Sequence, residues 1–134
     1  MLPNFHQPKR KGEWAEAAFL LQAYRLGFVV ARPWGDSALY DFIVHRRRLN
    51  RIQVKSAWSK HYHGYIVETI RAKGKCYQRG DFDYLAAYVA ALDLWYIIPM
   101  KLVAGRHSIL LYPDGSKRAK MQYEPFRNAW HLLR

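Results

Sequence analysis

A mixed α/β sandwich around a central sheet is the architecture this sequence predicts. Three observations carry it. A long N-terminal segment, Lys9 to Leu26, reads as a helix stopped by Gly27. Short runs of β-branched and aromatic residues follow, separated by Gly, Pro, Asn and Asp turns. The chain then closes on an aromatic-rich segment with helical spacing, Tyr123 to Leu133. One helix, three strands, a crossover, further strands and a last helix make two kinds of layer around one sheet.

Taken in order, residues 1–8 read as a loose, Pro-bounded arm. The first helix places Ala17, Leu20, Leu21 and Tyr24 on its expected apolar face. Phe28 to Ala31 is a short buried strand ended by Pro33-Trp34-Gly35-Asp36. Tyr40-Asp41-Phe42-Ile43-Val44 and Ile52-Gln53-Val54-Lys55 are strands joined by a basic turn, His45 to Arg51, short enough for a hairpin. Gly64 to Ile70 is another strand, followed by a basic stretch from Arg71 to Arg79. Tyr84 to Ala90 and Leu94 to Ile98 flank a tight turn at Leu92-Asp93 and stop at Pro99. Ile109 to Tyr112 reads as an edge strand before Pro113-Asp114-Gly115. Phe126, Trp130 and Leu133 mark the buried side of the closing helix. No repeat or linker divides the chain, so residues 1–134 are expected to form one domain.

Composition narrows the function. Half the residues are hydrophobic, which excludes a disordered chain, and no apolar run reaches bilayer-spanning length. The N-terminus lacks the apolar core of a signal peptide. Cys76 is alone, so neither an internal disulfide nor a cysteine metal cluster is available, and a reducing cytoplasm is the expected setting. Lys and Arg number 22 against 10 Asp and Glu, a formal net charge of +12. Such an excess suits a polyanionic partner, nucleic acid above all.

The two strands of the expected hairpin carry polar groups where a plain core strand would not. Side chains alternate along a strand, so Gln53 and Lys55 share one face while Ile52 and Val54 pack on the other. By the same rule Asp41 points away from Tyr40, Phe42 and Val44. Pairing brings Asp41 beside Gln53 and Lys55. An acid, an amide and an amine on one face suit phosphodiester hydrolysis. That reaction requires an activated water, a Lewis acid on the phosphoryl oxygens and stabilisation of the leaving alkoxide. Taken singly, each residue has an ordinary explanation. Asp41 fits a strand start at a turn, Lys55 an edge-strand gatekeeper, and Gln53 a solvated position. Their joint placement favours a site.

The order helix with Glu, strand, strand with Asp, strand with (Glu/Gln)-x-Lys resembles the PD-(D/E)XK nuclease superfamily. Lys11-Gly12-x-x-Ala15-Glu16 is similar to archaeal Holliday-junction resolvases. Tyr40-Asp41, Ile52-Gln53-Val54-Lys55-Ser56 and Trp95-Tyr96-Ile97-Ile98-Pro99 are closer to the bacterial group I intron homing endonucleases. The resemblance implies a restriction-endonuclease-like core, a central mixed β-sheet with flanking helices in the order α-β-β-β-α-β. It implies Glu16, Asp41, Gln53 and Lys55 as catalytic residues. Asp41, Gln53, the backbone carbonyl of Val54 and Glu16, the last through a bound water, would hold Mg²⁺, with Mn²⁺ as a substitute. Glu13 competes with Glu16, since either is an ordinary first-turn acid favoured by the helix dipole. The Lys-Gly-x-x-Ala-Glu match selects Glu16. The commoner family pattern has a carboxylate where Gln53 stands, and an amide offers a metal only a dipole. The intron-associated group shares the Gln.

For DNA, the candidates are Arg46, Arg47, Arg48 and Arg51 in the hairpin, then Lys60, His61 and His63. Arg71, Lys73, Lys75 and Arg79 complete them, interleaved with Trp58, Tyr62, Tyr65 and Tyr77. Any one of these side chains alone fits a solvated basic face. His61 and His63 share a strand face but have no third ligand at zinc spacing. Double-stranded or branched DNA is the expected substrate. A homo-oligomer, dimer or tetramer, is the expected assembly, with Trp95, Tyr112 and Trp130 offered as its surface. Three rival functions stay open from the sequence: a junction resolvase, a nuclease-like DNA-binding module without catalysis, and an RNA-binding accessory protein.

Overall fold

The computed structural model describes residues 2–134. Its α-helix, α1, spans Pro8–Arg25, with Pro8 in the first turn, where a missing N–H costs no hydrogen bond. The helix stops as the sequence predicts. Gly27 takes φ +82° and donates to Tyr24 O, and Phe28 donates to Ala23 O at 3.0 Å. This pair of bonds is the Schellman closure, which glycine permits because it carries no Cβ.

The buried face of α1 differs from the expected one. Ala15, Phe19 and Ala23 are buried, whereas Ala17, Leu20, Leu21 and Tyr24 face outward, Leu21 at 54% and Tyr24 at 61% exposure. Apolar residues occupy almost every position from Trp14 to Tyr24, so periodicity alone does not select a face. Packing decides instead. Two alanines at helical spacing let the backbone approach the sheet, and Phe19 between them stacks on Phe42 at 5.2 Å.

The central sheet has the order β1-β2-β3-β6-β7. Its strands are β1 (Val29–Ala31), β2 (Phe42–His45), β3 (Leu49–Ala57), β6 (Tyr84–Val89) and β7 (Leu94–Pro99). Every pairing is antiparallel except β3 with β6, so the sheet is mixed. A parallel pair requires a long crossover, commonly an α-helix. Here residues 58–83 serve, and they carry β4 (Lys60–His61), β5 (Gly64–Glu68) and a single 3-10 turn at Ala72–Gly74. The second α-helix of the expected order is therefore absent among the described residues. A second sheet, β4-β5-β8 with β8 at Ser108–Leu111, covers that face instead.

Two cores result. Phe42, Val44, Ile52, Val54, Tyr88, Trp95 and Ile97 pack against α1. Leu85, Ala87, Tyr96 and Ile98 pack against Tyr65, Val67, Ile109 and Leu111 of the second sheet. The N-terminal arm also belongs to the first layer. Phe5 lies 5.8 Å from Trp14 and 6.0 Å from Trp58, so it is packed rather than loose.

The closing segment is not a continuous helix. Two 3-10 turns, Glu124–Phe126 and Trp130–Leu133, flank Asn128, which sits at φ +49°. Asn128 donates its N–H to Trp95 O at 2.8 Å, and Arg127 bridges to Tyr96, so the backbone leaves the helical ladder to pair with β7. Asn tolerates this left-handed conformation better than most residues. Trp95 and Trp130, expected at a self-association surface, are 3% and 6% exposed. Trp130 instead meets Phe19, Phe28 and Trp95 in one aromatic cluster. Trp130→Ala is expected to cost about 3–5 kcal/mol of unfolding free energy in a denaturant titration. A surface position would change it by only about 0.5 kcal/mol.

Candidate active site

The site forms where β2 begins and β3 runs on past it. Phe42 is registered with Ile52, yet Asp41 donates its own N–H to Ile52 O at 2.8 Å. Two residues of one strand thus oppose one of the next, a bulge-like step. Tyr40 and Phe42 consequently pack on opposite faces, Tyr40 beside the second core and Phe42 inside the first. Strict alternation had placed them together. The step turns the Asp41 carboxylate along the sheet, where its Oδ2 accepts the Val54 N–H at 2.8 Å. A strand residue's N–H and C=O project toward the same neighbour, so the Val54 carbonyl faces the Asp41 side too.

The other groups arrive from both faces. Val54 belongs to the core under α1, and its neighbours Gln53 and Lys55 take the opposite face, registered with Leu85 and Ala87 of the second core. Here the expected alternation holds. Glu16 comes from α1, one residue beyond the buried Ala15. Glu16, Asp41, Gln53, Val54 and Lys55 all line one open cleft of about 690 Å³. Glu13 does not line it, and neither do Asp36 and Ser37.

The electrostatics follow from burial. Asp41 is pushed above the ordinary carboxylate range, first by burial, while the Val54 N–H, Lys55 and Arg32 pull it back. Glu16 is also raised, by burial and then by the Asp41 charge, although Arg32 lies 3.3 Å from its Oε1. Lys55 is lowered by burial, against the attraction of Asp41 and Glu68. Its Nζ donates to Ile70 O at 3.0 Å and lies 5.7 Å from the Tyr77 ring centre. Two partly buried carboxylates, an amide and a carbonyl are hard oxygen donors whose crowding a dication relieves. The donor set therefore fits Mg²⁺ or Mn²⁺. Among the described residues no three of His, Cys, Asp and Glu converge as a metal cluster.

Glu68 was missed by the sequence reading. It ends β5, lines the cleft and acts on Lys55. Its signal was a lone acid in an otherwise apolar strand. Lys11 also lines the cleft, with its ammonium 5.8 Å from the Trp58 ring centre.

The basic candidates divide by position. Lys60 and His61 line the cleft, and His63 is exposed at the next turn. Arg71, Lys75 and Arg79 line a separate hollow with Tyr77, and Lys73 is exposed at φ +66° beside it. Arg46, Arg47 and Arg48 lie at the far end of β2, about 13 Å along the strand from Asp41. There Arg46 and Arg48 donate to the carbonyls of Leu26 and Leu132, at 3.3 and 2.7 Å. Arg51 is held by Asp83 and by Gly80 O. Arg47 is exposed in the turn. Arg46 and Arg48 thus support the fold at the end away from the cleft, while Arg51 is held midway along the hairpin, opposite Ile43.

Known proteins share the fold described above. The family model for PD-(D/E)XK endonucleases matches residues 6–133. The chain belongs to the PD-(D/E)XK endonuclease family. Among solved structures it is similar to the bacterial homing endonuclease I-Ssp6803I. Identity is 32% and the TM-score 0.80, over 96% of this chain and 92% of that one. No curated protein matches it. The protein is thus an endonuclease with a restriction-endonuclease-like core, and no helix among its described residues is long and apolar enough to cross a membrane.

Asp41→Asn keeps an oxygen for the Val54 N–H and removes the buried charge. A carboxyl whose pKa is raised by folding contributes stability at low pH that is lost as pH rises through its folded pKa. In EDTA the variant is therefore expected to melt above the wild type at neutral pH. That advantage should vanish as pH falls below the carboxylate range, as read by thermal unfolding against pH.

Proposed function

We propose that this endonuclease cleaves DNA with Mg²⁺, or Mn²⁺ in its place, at the cleft where Asp41 meets Val54. The convergence of Glu16, Asp41, Gln53, Val54 and Lys55 on one cleft from three separate elements carries the reading. When bound, the cation would polarise the phosphoryl oxygens and lower the pKa of a bound water. Asp41, with one oxygen fixed by Val54, would offer its other oxygen to the cation, with the Val54 carbonyl and the Gln53 amide as further ligands. Glu16 holds a water at the helix side. Lys55, with its pKa lowered by burial, orients the attacking water and takes its proton. Its contact with Ile70 O fixes the amine before substrate arrives.

The excess of positive charge supports a DNA substrate, and Lys11, Lys60 and His61 line the cleft in which phosphates beside the scissile bond would lie. A homing-type reaction is supported by the similarity to I-Ssp6803I. Residues 6–133 act as one catalytic unit, and cutting both strands then takes two such units, hence a homo-oligomer. The lone Cys76 is in keeping with a reducing cytoplasm.

Cleavage of a plasmid library with randomised inserts and of a synthetic four-way junction tests this reading. Wild type is expected to cut with Mg²⁺ and not with EDTA. Asp41→Ala and Lys55→Ala should each lose about 10²–10⁴-fold in rate. Cutting confined to the junction would make the enzyme a resolvase. EDTA-resistant cleavage, or full activity in Asp41→Ala, would overturn the proposal. Gln53→Glu is expected to lower the Mg²⁺ concentration required for half-maximal rate, since it replaces a dipole with a charge.

A further inference from the structure

The hairpin that forms one wall of the cleft ends in a residue that turn chemistry does not favour. His61 is registered with Gly64, so Tyr62 and His63 make a two-residue turn between β4 and β5. Such turns select Gly, Asn or Asp at a left-handed position, because a larger side chain is strained there. Tyr62 occupies it at φ +57°. Burial does not compensate, since Tyr62 is 87% exposed. The ring is nevertheless oriented: His61 meets it edge-on, with centroids 4.6 Å apart.

The base of the hairpin is fixed while its tip is free. Gly64 is buried so closely that a Cβ there would fall 2.7 Å from the Tyr112 ring and 2.9 Å from Leu111 O. Lys60 pairs with Asp114 at 2.9 Å, tying β4 to the turn after β8. The second sheet therefore buttresses a rigid ribbon and presents one aromatic ring beyond the Lys60–His61 wall of the cleft. DNA whose scissile phosphate reached Asp41 would run past that wall.

We propose that Tyr62 is a DNA-positioning residue that stacks on a base or sugar ring next to the cleaved phosphate. This rests on the nuclease reading and adds to it a contact made by an aromatic face instead of a charge. Every base has a π-face, so an aromatic ring that wedges between base pairs of the duplex tolerates any of them. The ring thus sets where the duplex sits along the cleft, whatever sequence is read elsewhere.

The test compares Tyr62→Asn and Tyr62→Phe with wild type, in Ca²⁺ to suppress cleavage. Fluorescence anisotropy would follow binding to a mixed-sequence duplex and to a four-way junction over a range of salt. Asn suits the left-handed turn, so Tyr62→Asn is expected to melt at or above the wild-type temperature. Its DNA affinity should nevertheless fall roughly 5- to 100-fold, while Tyr62→Phe keeps most of it. The slope of log affinity against log salt should stay at its wild-type value, since no phosphate contact is removed. Unchanged affinity in Tyr62→Asn would overturn the inference, and so would an equal loss in Tyr62→Phe, which would point to the hydroxyl instead of the ring. If wild type bound neither DNA, the nuclease reading itself would fail. Binding by wild type with no effect at Tyr62 would leave that reading standing and remove only this one.

Discussion

Where β2 meets β3, the Asp41 carboxylate accepts the Val54 N–H at 2.8 Å and closes the open end of the hairpin. Without that bond the Val54 N–H would lie at the end of a ladder with no strand beside it, and a buried unpaired N–H is costly. The same bond sets the carboxylate in the sheet rather than on one face. From there it is reached by Glu16 on the helix side and by Gln53 and Lys55 on the other. A strictly alternating strand would give Asp41 to one face only. The bulge-like step, with Asp41 and Phe42 both opposite Ile52, is what converts a hairpin into a site.

The rest of the fold serves that junction from two directions. Ala15, Phe19 and Ala23 hold α1 against Phe42 and its neighbours, which sets the depth of Glu16. The second sheet covers the opposite face of β6 and β7 and brings Glu68 near Lys55. Burial raises both carboxylates and lowers the lysine, so the charged form of each is disfavoured in the cleft. Such opposed pressures are expected where a protein holds ionisable groups for chemistry instead of stability. Gln53 moderates them by adding a hard oxygen without another negative charge.

Much of this was legible in the sequence because it depended on local pattern. The Gly27 stop, the hairpin through Asn50, the Leu94 strand after the Asp93 turn and the shared face of Gln53 and Lys55 all follow from short-range rules. What failed depended on tertiary competition. The outer face of α1 is as apolar as the inner, so only the fit of Phe19 to Phe42 selects the stripe. The closing segment has helical spacing, but Asn128 gives its N–H to Trp95 O, a partner far away in sequence. Trp95 and Trp130 looked available for association until the aromatic cluster enclosed them. Glu68 escaped notice because its approach to Lys55 is created by the crossover, which no local signal describes. The arginine run beside Asn50 drew attention as charge, whereas in space Arg48 and Asn50 hold the carbonyls of Leu132 and Leu133.

In the proposed mechanism Asp41 and the Val54 carbonyl together define the position of a catalytic cation. Anomalous scattering from crystals grown with Mn²⁺ and DNA addresses it most directly. A peak is expected in the cleft, within about 2.0–2.3 Å of an Asp41 oxygen and of Val54 O, and its loss in Asp41→Asn. A peak held by His61 and His63 instead, or one that persists unchanged in Asp41→Asn, would contradict it.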